Sequence, residues 1–147
     1  MKALAHTSLL VTILFFLQHT AFAQLGVSYH QSGLSFIGVQ YNFSEAPIMA
    51  EFRLSTDNFL ENATPELVGT YGFINKEQHQ VYAGLGLRVN RLEGVVIPLG
   101  LKVYPLKDFA GLGLHMELAP IIYTEEDGGT ILRGSWGFHY IFGRNKE

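Results

Sequence analysis

The stretch GSWGFHYIF, residues 134–142, decides how the rest of the chain is read. Its even positions are Gly134, Trp136, Phe138, Tyr140 and Phe142, with Ser135, Gly137 and His139 between them. Alternate residues of a strand point to opposite faces, so one face here carries four aromatic rings and the other is small and polar. The short polar run GRNKE follows. The question is which solvent those rings meet.

Upstream, the same period of two recurs. In LSFIGVQYNF (34–43) the odd positions Ile37, Val39, Tyr41 and Phe43 are apolar, against Gly38, Gln40 and Asn42. PIMAEFRLS (47–55) sets Ile48, Ala50, Phe52 and Leu54 against Glu51 and Arg53. QHQVYAGLGLRVN (78–90) sets Val81, Ala83, Leu85, Leu87 and Val89 against Gln80, Tyr82 and Arg88. GVVIPLGLKVYP (94–105) and FAGLGLHMELAPIIY (109–123) continue the pattern, with Lys102, His115 and Glu117 on their polar faces. Two weaker segments, QLGVSYH (24–30) and ELVGTYGFIN (66–75), bring the count to eight strands, the register of the first and fourth staying open.

Residues 1–23 are set apart from this pattern. Lys2, the apolar run from Leu9 to Leu17 and the small-x-small site Ala21-Phe22-Ala23 have the form of a secretory signal peptide, with cleavage expected before Gln24. The expected domain is then 24–147. Without Lys2 it carries nine Lys and Arg against thirteen Asp and Glu, a formal charge of −4, which argues against a nucleic-acid partner. The absence of cysteine excludes disulfide staples and thiolate chemistry.

Alternating strands can build a soluble barrel with its aliphatic face inward, or a membrane barrel with that face outward. Four features favour the second. The polar face is rich in glycine (Gly38, Gly84, Gly86, Gly100, Gly111, Gly113, Gly137), which suits a crowded lumen and only weakens a solvent-facing strand. The four longest strands run to about 11–15 residues, the reach of a tilted membrane strand. Tyr41, Phe43, Tyr71, Phe73, Tyr140 and Phe142 stand at the ends of even-numbered strands, and Phe109 opens the next strand at the same level. In an up-and-down barrel these rings form one aromatic belt. Finally, the even-numbered connections look short, whereas TDNFLENATPE (56–66) and TEEDGGT (124–130) are longer and acidic.

At the level of pattern, residues 24–147 resemble the small eight-stranded outer-membrane β-barrel proteins of the OmpA/OmpX type. The most specific element is the last strand. Ser135-x-Gly137-x-x-Tyr140-x-Phe142 is similar to the C-terminal assembly signal of outer-membrane proteins, although in that family the final aromatic usually ends the chain. The resemblance implies an all-β, eight-stranded, antiparallel, up-and-down transmembrane barrel in a bacterial outer membrane. Its implied partners are outer-membrane lipid and lipopolysaccharide, with the barrel-assembly machinery during insertion.

In that fold Glu51, Arg53, Arg88, Lys102, His115, Glu117, Arg133 and His139 line the lumen, with Gln40, Gln80 and Tyr82. An eight-stranded barrel is just wide enough for side chains to fill, so these residues are expected to form a paired polar plug. No solute channel is expected, nor any cofactor or resident metal. The first alternative is a lipid A-modifying enzyme, an activity found among such barrels, drawing on His115, Glu117, Ser135 and His139. His30-x-Ser32 resembles a deacylase pair, but no acidic residue stands at a partnering offset. The second alternative is a soluble periplasmic calycin-like barrel binding an apolar ligand. Glu125-Glu126-Asp127 reads as a solvated hairpin tip or a divalent-cation contact, and Asn62-Ala63-Thr64 as a loop.

Overall fold

The computed structural model describes residues 24–56, 63–106, 108–124 and 128–144. The expected signal peptide and Glu125-Glu126-Asp127 lie outside the described residues, as does Asn62. Among the described residues the regular structure is entirely strand: β1 (Gln24–Gln31), β2 (Phe36–Asn42), β3 (Ile48–Ser55), β4 (Pro65–Asn75), β5 (His79–Arg88), β6 (Gly94–Val96), β7 (Leu99–Val103), β8 (Leu112–Tyr123) and β9 (Gly129–Ile141).

Apart from β6 and β7, strands adjacent in sequence pair antiparallel, and β9 returns to β1 to close the barrel. β6 and β7 are two halves of one strand. Both pair with β5 on one side and β8 on the other, in a single unbroken register. The break between them is chemical. Gly84 N donates to Pro98 O at 2.8 Å, and the reciprocal bond of that pair would need an N–H that proline lacks. The same holds where Ile97 N donates to Pro120 O at 2.9 Å. Counted as one strand, β6–β7 makes the wall eight-stranded, as the periodicity predicts.

Hydrogen-bonded partners traced once round the wall from Gln24 return to β1 about ten residues further along the chain. That stagger tilts the strands by roughly 35–45° and leaves a lumen that side chains can fill.

The two faces divide sharply. Leu85 is 61% exposed, Leu114 43% and Leu101 36%, whereas Arg88 is 3%, Lys102 4% and Glu117 3% exposed. The apolar face is outside and the charges are inside. Trp136, Phe138, Tyr140 and Phe142 all point outward, while Ser135 and His139 are buried in the lumen. The first and fourth strands take the same parity: Leu25 and Val27 face out with Leu67 and Tyr71, and Ser28 and His30 face in with Glu66 and Val68. A register shift between Gly72 and Ile74 turns both Phe73 and Ile74 outward.

Three expectations need correction. Phe109 does not open a strand. It is exposed in the connection that precedes β8, where Leu112 N donates to its carbonyl at 2.9 Å. That connection, residues 104–111, is also longer than the odd-numbered ones at 32–35, 89–93 and 124–128, and only the odd one at 56–64 exceeds it, so loop length does not divide the two rims cleanly. The lumen, lastly, is not polar throughout. Val96, Ala119 and Ile121 are fully buried at the end nearer the odd-numbered turns, and Leu92 packs on them.

Candidate functional site

Arg53 of β3 stands at the centre of the lumen. Its Nη1 and Nη2 donate to Oε1 and Oε2 of Glu117 on β8, both at 2.8 Å, in a bidentate pair. Its Nε donates to Glu51 Oε2 at 2.9 Å, and Nη1 also reaches Glu66 Oε1 at 3.0 Å. Glu66 in turn accepts from Arg88 Nη2 at 2.7 Å and from Arg133 Nη1 at 2.8 Å. Arg133 also reaches Glu117 at 3.1 Å, and Tyr82 Oη donates to Glu117 Oε2 at 3.0 Å. The ring of Phe36 lies 5.2 Å from the Arg88 guanidinium and 5.4 Å from that of Arg133, within cation–π range of both.

This cluster unites Glu51, Arg53, Arg88, Glu117 and Arg133 of the sequence-derived set. It also contains Glu66, which the sequence places both at the end of the acidic connection 56–66 and at the start of the strand 66–75, and which the expected lumen set omits. Glu66 begins the inward face of β4 and is fully buried. Its parity with Val68, Thr70 and Gly72 within the strand 66–75 is the signal that places it inward.

A second cluster continues toward the rim where the even-numbered strands end. Ser28 Oγ donates to Glu51 Oε1, and His30 Nε2 meets the same oxygen at 2.9 Å. His30 Nδ1 lies 2.9 Å from His115 Nε2. With Glu51 as a carboxylate, His30 donates to it from Nε2, and the tautomers of the two rings set which one donates between His30 Nδ1 and His115 Nε2. His30 therefore has an acidic partner, contrary to the expectation from spacing. That partner is supplied by β3, reaching over Gly38 of the intervening β2, rather than by nearby sequence.

These histidines do not form a serine-activating pair. Among the described residues no serine hydroxyl is hydrogen-bonded to an imidazole: Ser28 is held by Glu51, and buried Ser135 Oγ has no partner. No group of three or more His, Cys, Asp or Glu among them could hold a metal ion.

Lys102 and His139 complete the set at that end. Lys102 Nζ donates to Met49 Sδ at 2.9 Å and lies 5.3 Å from the Tyr82 ring, with no carboxylate within salt-bridge range among the described residues. His139 is 2% exposed, and neither of its ring nitrogens has a hydrogen-bond partner among the described residues. Gln80 is not a lumen plug, since its amide pairs with Asn75 at the rim.

Glycine makes room for the inward rings. A Cβ on Gly100 would stand 2.3 Å from Tyr82 Cζ, and one on Gly113 2.4 Å from the His139 ring. Bare backbone at those positions is what lets the two rings lie across the lumen.

The residues of the expected aromatic belt lie near that same rim. Tyr41 packs edge-on against Phe43 at 4.9 Å, and Tyr140 against Phe142 at 5.1 Å. Leu25, whose carbonyl accepts from Phe142 N at 2.7 Å, is paired with Tyr41, and Tyr71 with Ile48. In the expected assembly signal, Ser135 and Gly137 face the lumen while Tyr140 and Phe142 face outward, all beside the β9–β1 closure.

No protein-family profile, curated protein or solved structure matches the chain.

Proposed function

We propose that the protein is an integral outer-membrane β-barrel with a structural or surface-interaction role, its interior closed by the paired charges rather than open to solutes. The observation that carries this reading is the orientation of the wall. Leucine, valine, isoleucine and aromatic side chains cover the outside of every strand, and the charges are turned inward. In water, so large an apolar exterior would be unfavourable by about 25 cal/mol for each Å² left exposed. In lipid it is the low-energy surface, and a closed barrel satisfies its backbone without an edge. The same orientation counts against the soluble calycin-like alternative, which needs the aliphatic face inside.

On this reading the partners are membrane lipid and lipopolysaccharide along the wall. The barrel-assembly machinery engages the strand that ends Tyr140-Ile141-Phe142. A lumen filled by Arg53, Glu66, Glu117 and their neighbours leaves no conducting path, so the protein in planar bilayers gives no stepwise ion conductance.

The test is cell fractionation combined with gel migration before and after heating. The protein is expected in the outer-membrane fraction, with a mobility that shifts on boiling. Recovery as a water-soluble periplasmic protein would defeat the reading.

A further inference from the structure

The barrel closes unevenly at the rim where the odd-numbered strands end. The last rung between β1 and β9 joins Gln31 to Trp136, yet β9 runs on beside β8 as far as Gly129. Among the described residues, the stretch 129–135 of β9 is therefore strand-paired on its β8 side only. A cavity of about 630 Å³ opens in that notch. It lies between this part of β9, the β1–β2 turn at Gly33-Leu34 and the β5–β6 turn at Asn90-Arg91-Leu92. Exposed Arg91 and Ile131 line it together with buried Arg88 and Ile121, so it runs from the outside into the lumen.

Two kinds of surface meet in it. Arg88, Arg91 and Arg133 line it, and no acidic side chain does so among the described residues. Among those residues Arg88 has only the Glu66 carboxylate, which it shares with Arg53 and Arg133, and Arg91 has none. Leu34, Leu92, Ile121 and Ile131 supply the apolar part. Leu92 is held there at a φ of 54°, a left-handed conformation that a branched side chain rarely adopts, and it packs on Val96, Ala119 and Ile121. Asn90, at a φ of 82°, donates from Nδ2 to Ala63 O at 2.9 Å. Such backbone persists only where its surroundings over-determine it, so this wall of the cavity is preformed.

We propose that this cavity binds a single-chain amphiphile with an anionic head, the head held among Arg88, Arg91 and Arg133 and the chain laid on Leu92, Ile121 and Ile131. The lining selects the ligand. Guanidinium forks match the paired oxygens of a carboxylate or a phosphate. A small hydrophilic anion would leave the leucine and isoleucine surface bare, and a neutral hydrocarbon would leave the cations unmatched. A volume of this size takes one small molecule rather than a folded partner. The head can be the carboxylate of a fatty acid or the phosphate of a lysophospholipid. The cavity and its charges do not depend on which solvent meets the wall, so the site stands or falls apart from the fractionation result.

The test is native mass spectrometry of the purified full-length protein in a non-ionic detergent, whose neutral head makes no ion pair. The probes are dodecanoate, dodecyl phosphate, dodecanol and acetate. Saturable one-to-one binding is expected for dodecanoate or dodecyl phosphate, and the tighter of the two identifies a fatty acid or a phosphate-bearing lipid as the source. Dodecanol lacks the charge and acetate lacks the chain, so each should bind at least about tenfold more weakly. Arg91 and Ile131 are both exposed, so Arg91→Gln and Ile131→Asn are expected to fold, with far-UV circular dichroism matching wild type. Each should lower the affinity for the tighter probe about tenfold. Three results would each overturn the proposal: no saturable binding of either anionic probe, dodecanol or acetate bound as tightly as they are, or unchanged affinity in either folded variant.

Discussion

Arg53 and Glu117 meet in the middle of the barrel in a two-pronged pair, both bonds 2.8 Å long, although 64 residues separate them in the chain. The same guanidinium serves Glu51 and Glu66, so one side chain ties β3 to β4 and, across the lumen, to β8. Removing one partner of a buried ion pair leaves the other charged and unpaired, at a cost of about 3–5 kcal/mol. Arg53→Met is therefore expected to destabilise by that amount. Arg88→Met should cost clearly less, because Glu66 keeps Arg53 and Arg133. Denaturant unfolding followed by the fluorescence of Trp136, the single tryptophan, measures both. Equal losses would count against Arg53 as the hub.

Gly100 and Tyr82 form a second dependent pair. Gly100→Ala places a methyl inside the space of the Tyr82 ring and pushes its hydroxyl away from Glu117, which should cost about 1–3 kcal/mol. In a Tyr82→Ala background the same change should cost almost nothing, since the ring it strikes is gone. A double-mutant cycle reads the coupling, and additive effects would refute it.

Pro98 leaves the carbonyl of Gly84 without its reciprocal rung, and it sits within an otherwise continuous register. Pro98→Ala should restore the bond, join β6 to β7 and add up to about 1 kcal/mol of stability, provided the backbone there is already extended. Hydrogen exchange provides the check. The new amide at position 98 should be protected to the level of its neighbours in β7, and fast exchange there would show that the break has another cause.

The outer wall offers a test that depends on its solvent. Met116 lies at mid-height and is 66% exposed, whereas Ile48 lies near the rim where the even-numbered strands end. On the membrane reading, Met116→Arg should cost about 2–4 kcal/mol and Ile48→Arg at most about 1 kcal/mol, measured by reversible unfolding in lipid vesicles. A wall that faces water would tolerate both alike.

Much of the barrel could be read without coordinates because a strand has a period of two. In β5, β7, β8 and β9 the aliphatic and polar faces are so cleanly separated that their direction follows once the number and length of strands are known. The expected lumen residues Glu51, Arg53, Arg88, Lys102, His115, Glu117 and His139 are all buried. The readings that failed lie where the period is weak. Glu66 opens the strand 66–75 but also ends the acidic segment and so is missing from the expected lumen set, and Phe109 precedes a proline-free turn that looks like strand.

Local order in the chain thus determined the faces of the strands, because side-chain direction in a β-segment depends only on counting residues. Which charges meet is a different matter. Arg53 with Glu117, His30 with Glu51 and His115, and Lys102 with Met49 depend on the ten-residue stagger and the closure of β9 on β1. Those are properties of the whole ring of strands. The partners stand on elements remote in sequence, so spacing along the chain carries no record of them.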